Sequence, residues 1–434
     1  MLEARILAYR FEGRCSIDAI STLMKRDELP LSSQGSVSER LTQIGQLLPD
    51  TLSNESETAQ LIVFANDEIY AKAQPILITV DPISSAILRI ELADNRTADQ
   101  WCEHYDGLLK NGFQPKQLTS DAGVGICAAN AVTFADIPWQ LDTFHSVAHR
   151  LGDWNRRLEK RIDSAIRYAA EREATLASAK SEAVIDKRLT LCFEADQAVE
   201  KASQLHADFH YLYREIIQQL HLFDATGQLR ERSYVHGTME AALTLMEELS
   251  HRAISKEVAS VRRALPDCLT YFDEAETAVQ QCEKLTDHQE VLTALYLAWQ
   301  WDKAIIRSKT TERKHHAIEQ RDFYLEYALL AINDEEKGAM LKEKVYAELD
   351  QVIQASSMVE CINSLLRPYL NNSRNQVTQA FLNGFMFYHN HRRYRAGKRK
   401  GKTPLEILTG TAQKEDWVTL LQREIREKES QLVA

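Results

Sequence analysis

Two aspartates stand at the ends of short apolar runs. Residues 61–66 lead into Asp67 and residues 117–120 into Asp121. Carboxylates leaving two strands offer hard oxygen ligands, which suit Mg²⁺ with Mn²⁺ as a substitute. Two such ions ~4 Å apart can activate an attacking oxygen and stabilise a leaving one. Asp81 also ends an apolar run and competes with Asp67, whereas period-2 alternation turns Glu68 to the face opposite Asp67. A third run, residues 137–141, closes on the box Asp142-Thr143-Phe144-His145.

The surrounding composition favours helix. The chain has 434 residues, enough for two to four domains. Its 15 glycines and 9 prolines fall below average usage of roughly 7% and 5%. No apolar run approaches the ~18 residues that span a bilayer, and the N-terminus MLEARILAYRFEGR lacks a signal-peptide core. The expected location is therefore cytoplasmic, with no membrane partner. Seven scattered cysteines without a C-x-x-C pair suit a reducing compartment and disfavour a zinc site. The net charge of −11 opposes nucleic-acid binding globally. Local patches set such contacts, however. Residues 387–405 hold seven Lys or Arg and no acid, and Arg150, Arg156, Arg157, Lys160 and Arg161 form a second cluster. The alternative is that both are solvated charge runs.

Several elements must position the aspartates. Residues 1–57 read as a small helical head, with helices over 2–12, after Ser16 and from Ser36, where Val37, Leu41, Ile44 and Leu48 recur at helical spacing. Two short helices joined by a turn, with Arg40 on the outer face of the second, fit a helix-turn-helix. A structural cap is the alternative, since the head holds six basic and nine acidic residues. Beyond the polar linker NESET the period changes to 2. Strands are expected at 61–66, 75–81, 86–92, 117–120 and 137–141, with helices at 96–111 and 124–134, giving the order β-β-β-α-β-α-β.

That order, with one aspartate leaving strand one and another leaving strand four, resembles the plan of the ribonuclease-H-like fold, in which those strands are neighbours. FANDEIY, LTSDAGVGI and the Asp142–His145 box resemble the first and second acidic motifs and the C/D-x-x-H signature of DDE transposases, shared by hAT, Mutator-like and related bacterial insertion-sequence families. The resemblance implies an α+β fold: a ribonuclease-H-like mixed-sheet core (58–152 and 353–390) interrupted by a large all-helical insertion (153–352). The helical head (1–57) precedes it, and a basic tail and helix (391–434) follow. It also implies that Asp142 and His145 position metal or the scissile phosphate.

Residues 153–350 contain almost no Gly or Pro and are rich in Ala, Leu, Glu, Lys, Gln and Arg. Helices are expected at 154–180, 184–222, 239–250, 256–285, 289–332 and 335–355. Trp299 and Trp301 resemble the tryptophan that such insertions stack on a base near the cleaved end; core packing is the commoner role. Next, Val359, Ile362, Leu366 and Tyr369 form one helical stripe, and Glu360, Asn363, Ser364 and Arg367 another. The run S-x-x-V-E-x-x-N-S-x-L-R looks like the final transposase motif, which implies Glu360 as the third metal ligand beside Asp67 and Asp121. FYHNHRRYR…GKTPLEILTG resembles the closing Y-N-x-x-R…K-[ST]-P-x-E-x-L segment, whose arginines lie near bound DNA. Arg392, Arg393, Arg395, Lys398, Arg399 and Lys400 thus join Arg40, Arg367, Trp299 and Trp301 as candidate DNA contacts. Residues 411–434 read as a charged helix suited to self-association.

The implied activity is DNA cleavage at an element's ends with two Mg²⁺ ions, then attack of the freed 3′ hydroxyl on target DNA by in-line displacement. The enzyme would work as a homodimer or higher oligomer on DNA, associated with the nucleoid. Three alternatives remain open: a domesticated, non-catalytic DNA-binding protein of the same fold, a ribonuclease-H-like nuclease that cuts without joining, and a helical scaffold unrelated to DNA.

Overall fold

Alternating β-branched and aromatic residues draw five strands into one sheet. The computed structural model describes residues 2–249, 251–374 and 376–433, with side chains to residue 430. The strands are β1 (Gln60–Ala71), β2 (Gln74–Val80), β3 (Ile87–Leu92), β4 (Phe113–Ser120) and β5 (Trp139–Leu141), in the spatial order β3-β2-β1-β4-β5. β1 runs antiparallel to β2, and β2 to β3, while β1/β4 and β4/β5 are parallel. The sheet is therefore mixed and the fold combines α and β. β1 does not stop before Asp67 as expected: its pairing with β4 ends at Asn66–Ser120, but its pairing with β2 continues to Ala71.

The chain divides into two compact units, Met1–Asp142 with Ala355–Ala434, and Thr143–Gln354. In the first, α1 (Leu2–Leu7) passes into a π-helical turn over Ala8–Glu12. α2 (Ile17–Arg26) is capped by Ser16 as expected, its Oγ accepting from the Ala19 N–H at 3.1 Å. α3 (Gln34–Gln46) is capped by Ser33, three residues ahead of the expected Ser36. Helices α4 (Ala98–Lys110) and α5 (Val124–Thr133) cover one face of the sheet, where Phe64, Leu77 and Leu118 meet Trp101, Tyr105 and Ile126.

The second unit is helical: α6 (Arg150–Ala177), α7 (Glu182–Gln219), α8 (Arg232–Glu248), α9 (Arg252–Cys268), α10 (Tyr271–Glu283), α11 (Gln289–Arg307), α12 (Thr311–Ile332) and α13 (Glu335–Leu349). Two of the long helices expected here are each split in two. Pro266 lacks the N–H that would continue α9, which ends at Cys268. Thr310 caps a new start, its Oγ1 accepting from the Arg313 N–H at 3.3 Å.

Back in the first unit, α14 (Ser357–Asn372) and α15 (Gln379–His391) cover the other sheet face, followed by α16 (Pro404–Thr409) and α17 (Trp417–Val433). Val359, Ile362, Leu366 and Tyr369, the expected apolar stripe of α14, are buried against Ala65, Ile69, Ile76 and Ile78. α15 approaches α3 so closely that a Cβ on Gly45 would lie 2.0 Å from the Ala380 carbonyl oxygen. α15 also closes the open edge of β3. Asn390 accepts from the Ile87 N–H and donates to the Ile87 carbonyl, each at 2.8 Å. Gln379 does the same for the Leu92 N–H (2.7 Å) and the Ile90 carbonyl (2.9 Å). Between them the backbone of residues 50–52 bridges β3, the Leu52 N–H donating to the Leu88 carbonyl at 2.7 Å and the Ile90 N–H to the Asp50 carbonyl at 3.1 Å. A short bridge and two side-chain amides together cover the edge.

Replacing Asn390 by Ala strands both polar groups of buried Ile87. We expect a loss of about 1–3 kcal/mol in urea unfolding, with the slope unchanged. A midpoint equal to wild type would show that the edge needs no such cap.

Candidate functional site

The parallel pairing of β1 with β4 fixes the first two carboxylates. Its last register pair is Asn66 with Ser120, so Asp67 and Asp121 follow at the point where the strands part. On β1, Ala65, Ile69 and Ala71 face α14 and α15, and Asp67 shares their side by alternation. Asn66 and Glu68 face the other way. Asn66 is wholly buried and accepts from the Thr79 hydroxyl at 2.7 Å, while Glu68 pairs with Arg96 at 2.5 Å. Asp81 serves a turn instead, its carboxylate accepting from the Ser84 N–H at 2.8 Å and closing the connection from β2 to β3.

Asp67 Oδ1 accepts from the Glu68 N–H and Oδ2 from Asn363 Nδ2, both at 2.8 Å. Asn363, 6% exposed, lies on the polar stripe of α14 one turn after Glu360. Its own Oδ1 is buried without a hydrogen-bond partner. Burial pushes the Asp67 carboxyl up to about 7; the Glu68 N–H opposes this, and the negative charges of Asp121, Glu68 and Glu360 add to it. Asp121 Oδ1 accepts from the Gly123 N–H at 2.9 Å, holding the turn that leads into α5.

Asp142 sits at the end of β5, 1% exposed. Its Oδ2 accepts from both the backbone N–H (2.8 Å) and the hydroxyl (2.6 Å) of Ser356, the residue that opens α14. Asp142 therefore anchors the start of the helix that bears Glu360 and Asn363. Sequence reasoning gave no role to Ser356 or Asn363. The signals were the position of Ser356 at a helix start and the i, i+3 spacing of Asn363 from Glu360, but their partners lie more than 200 residues away. His145 belongs to the helical unit, in a π-helical turn over Phe144–His149, where its ring lies 5.2 Å from that of Phe144 and 6.0 Å from that of His149.

Compared with models of known protein families and with curated proteins, the chain matches none. Among the described residues, no three His, Cys, Asp or Glu side chains converge closely enough to enclose a metal ion. The charges of Asp121 and Glu360 both reach Asp67, and the potential donors around it are all oxygens, the unpartnered Asn363 Oδ1 among them. Their chemistry fits a hard divalent cation rather than zinc.

The expected DNA contacts divide into two groups. Arg393 bonds Glu406 at 2.8 Å and the Gly401 carbonyl at 2.7 Å, and Arg399 bonds the carbonyls of Pro82 and Ile83, so both are internal ties. Arg40 pairs with Glu3 and, at 3.5 Å, with Glu429. Arg392 lies over the rings of Tyr388 and Tyr394. Arg367, Arg395, Lys398 and Lys400 are exposed. In the helical unit Trp299 is 6% exposed, its indole N–H donating to Asp350 at 3.2 Å and its ring packed on Phe223. It is a core residue and offers no face to a base. Trp301 is half-buried, edge-on to His316.

The raised Asp67 value gives a pH signature. A carboxyl whose pKa is higher folded than unfolded binds a proton more readily in the folded state, so its contribution to stability is complete below about pH 4 and is lost as pH rises through about 7. Without divalent cations, Asp67→Asn should gain stability relative to wild type as pH rises across that window and be the more stable form above pH 7. Parallel profiles in chemical denaturation would contradict this.

Proposed function

We propose that the chain is a DNA strand-cleaving and strand-joining enzyme of the DDE transposase type, built on a ribonuclease-H-like core. The observation that carries this reading is that Asp67 on β1 feels the charges of Asp121, from the adjacent parallel β4, and of Glu360, from a helix packed on the same sheet face. The strand order β3-β2-β1-β4-β5, with β2 antiparallel to both neighbours, supports the core. A long helical segment between β5 and α14 supports an insertion ahead of the last acid.

In this reading Asp67 and Asp121 present oxygens from the sheet and Glu360 from α14. Asn363 orients Asp67, and Asp142 fixes the helix start through Ser356. Mg²⁺ ions held there would supply Lewis-acid activation of the attacking oxygen and charge stabilisation at the leaving one. No side-chain nucleophile is required, because an in-line displacement at phosphorus proceeds by positioning and electrostatics. The exposed Arg367, Arg395 and Lys400 would meet DNA phosphates, whose contacts make binding salt-dependent. Assembly as a homodimer or higher oligomer on DNA belongs to the same reading.

Single changes Asp67→Ala, Asp121→Ala and Glu360→Ala should each abolish Mg²⁺-dependent cleavage and strand transfer on DNA carrying the ends that flank the gene, with DNA binding retained. Cleavage at the wild-type rate in any one of them would remove that residue from the site. Cleavage without transfer by wild type would mark a nuclease, and binding without either would mark a non-catalytic DNA-binding protein.

A further inference from the structure

In the first unit, away from the carboxylates, the head, the β1–β2 turn and the loop after α14 surround a cavity of about 900 Å³. This lies within the roughly 300–1,000 Å³ range of small-molecule sites. Arg10 lines it and is 5% exposed. Its Nη1 donates to the Cys15 carbonyl at 2.9 Å, and its guanidinium lies 4.7 Å from the ring centre of Phe381 and 5.5 Å from that of Tyr369. Its Nε is buried with no partner. The groups acting on its charge are Tyr369 and Cys15; no carboxylate is among them.

A buried cation lacking an anion is strongly destabilising, and aromatic faces offset only part of the cost. A guanidinium is suited by its fork of donors to a planar or tetrahedral oxyanion. The mouth of the cavity continues the same sign. Lys72 and Arg374 both line it and are exposed. Asp18, the one acid in the lining among the described residues, already accepts from Gln34 Nε2 at 2.6 Å. The walls include the half-buried Phe381 and Val377, apolar surfaces that suit the body of a ligand rather than a bare ion.

We propose that this cavity binds a phosphorylated ligand of nucleotide size, its phosphate on Arg10 between Lys72 and Arg374 and its body against Phe381 and Val377. The site is separate from the proposed metal centre, and its occupancy does not depend on that reading.

Calorimetric titration of the full chain with adenosine monophosphate, adenosine and inorganic phosphate, at fixed ionic strength and without divalent cations, tests it. Saturable binding of the monophosphate is expected, with adenosine at least about tenfold weaker. Because Arg10→Met removes a packed side chain, the exposed pair Lys72→Glu with Arg374→Glu provides a folded comparison. Both variants should weaken the monophosphate about tenfold or more. Displacement of the monophosphate by a 5′-phosphorylated oligonucleotide, but not by its unphosphorylated form, would identify a nucleic-acid end as the source of the phosphate. No displacement by either would identify a free nucleotide. The proposal is overturned if neither monophosphate nor inorganic phosphate binds, or if the folded variants bind as wild type does.

Discussion

Three carboxylates drawn to one side of a buried sheet repel one another, and burial strengthens the repulsion. The first unit is organised around that constraint. The parallel β1/β4 pairing delivers Asp67 and Asp121 side by side, and the apolar stripe of α14 brings Glu360 to the same face. Burial raises the Asp67 carboxyl, and the negative charges of Asp121, Glu68 and Glu360 add to it. Donors that oppose it at Asp67 and Asp121 include the Glu68 and Gly123 N–H groups and the Asn363 amide. An arrangement that costs stability is the expected state of a site kept for function.

The helix supplying the third carboxylate is held at more than one point along its length. Asp142 anchors its start through Ser356, its apolar stripe packs on the sheet, and near its end the Tyr369 hydroxyl donates to the Phe11 carbonyl at 2.6 Å. Its neighbour α15 is tied to the β3 edge by Gln379 and Asn390. The closing segment resembling a transposase motif therefore contains residues with structural roles in this chain: Asn390 on β3, Arg393 on Glu406, and Thr403 with Glu406 in a reciprocal helix cap. Arg395, Lys398 and Lys400 remain exposed between them.

The strands, their order along the chain and the two stripes of α14 were legible in the sequence, because alternation and 3.6-residue spacing are local properties. Element ends were less so. Continuation of β1 past Asp67 depends on β2 as a partner, and the division of the long helices depends on Pro266 and Thr310. What local pattern could not carry was pairing across hundreds of residues. Asp142 with Ser356, Asn363 with Asp67 and Arg399 with the Pro82 and Ile83 carbonyls are tertiary contacts, and they reassign residues that read as phosphate or DNA contacts or as mere companions. Trp299 shows the same limit, since its partner Asp350 lies on another element of the helical unit.

We propose that Asp67, Asp121 and Glu360 act together on divalent cations. Anomalous diffraction from crystals grown with Mn²⁺ tests it most directly. Manganese peaks bounded by all three carboxylates, and lost in Asp121→Asn, are expected. Peaks elsewhere on the chain, or none at saturating Mn²⁺, would contradict it.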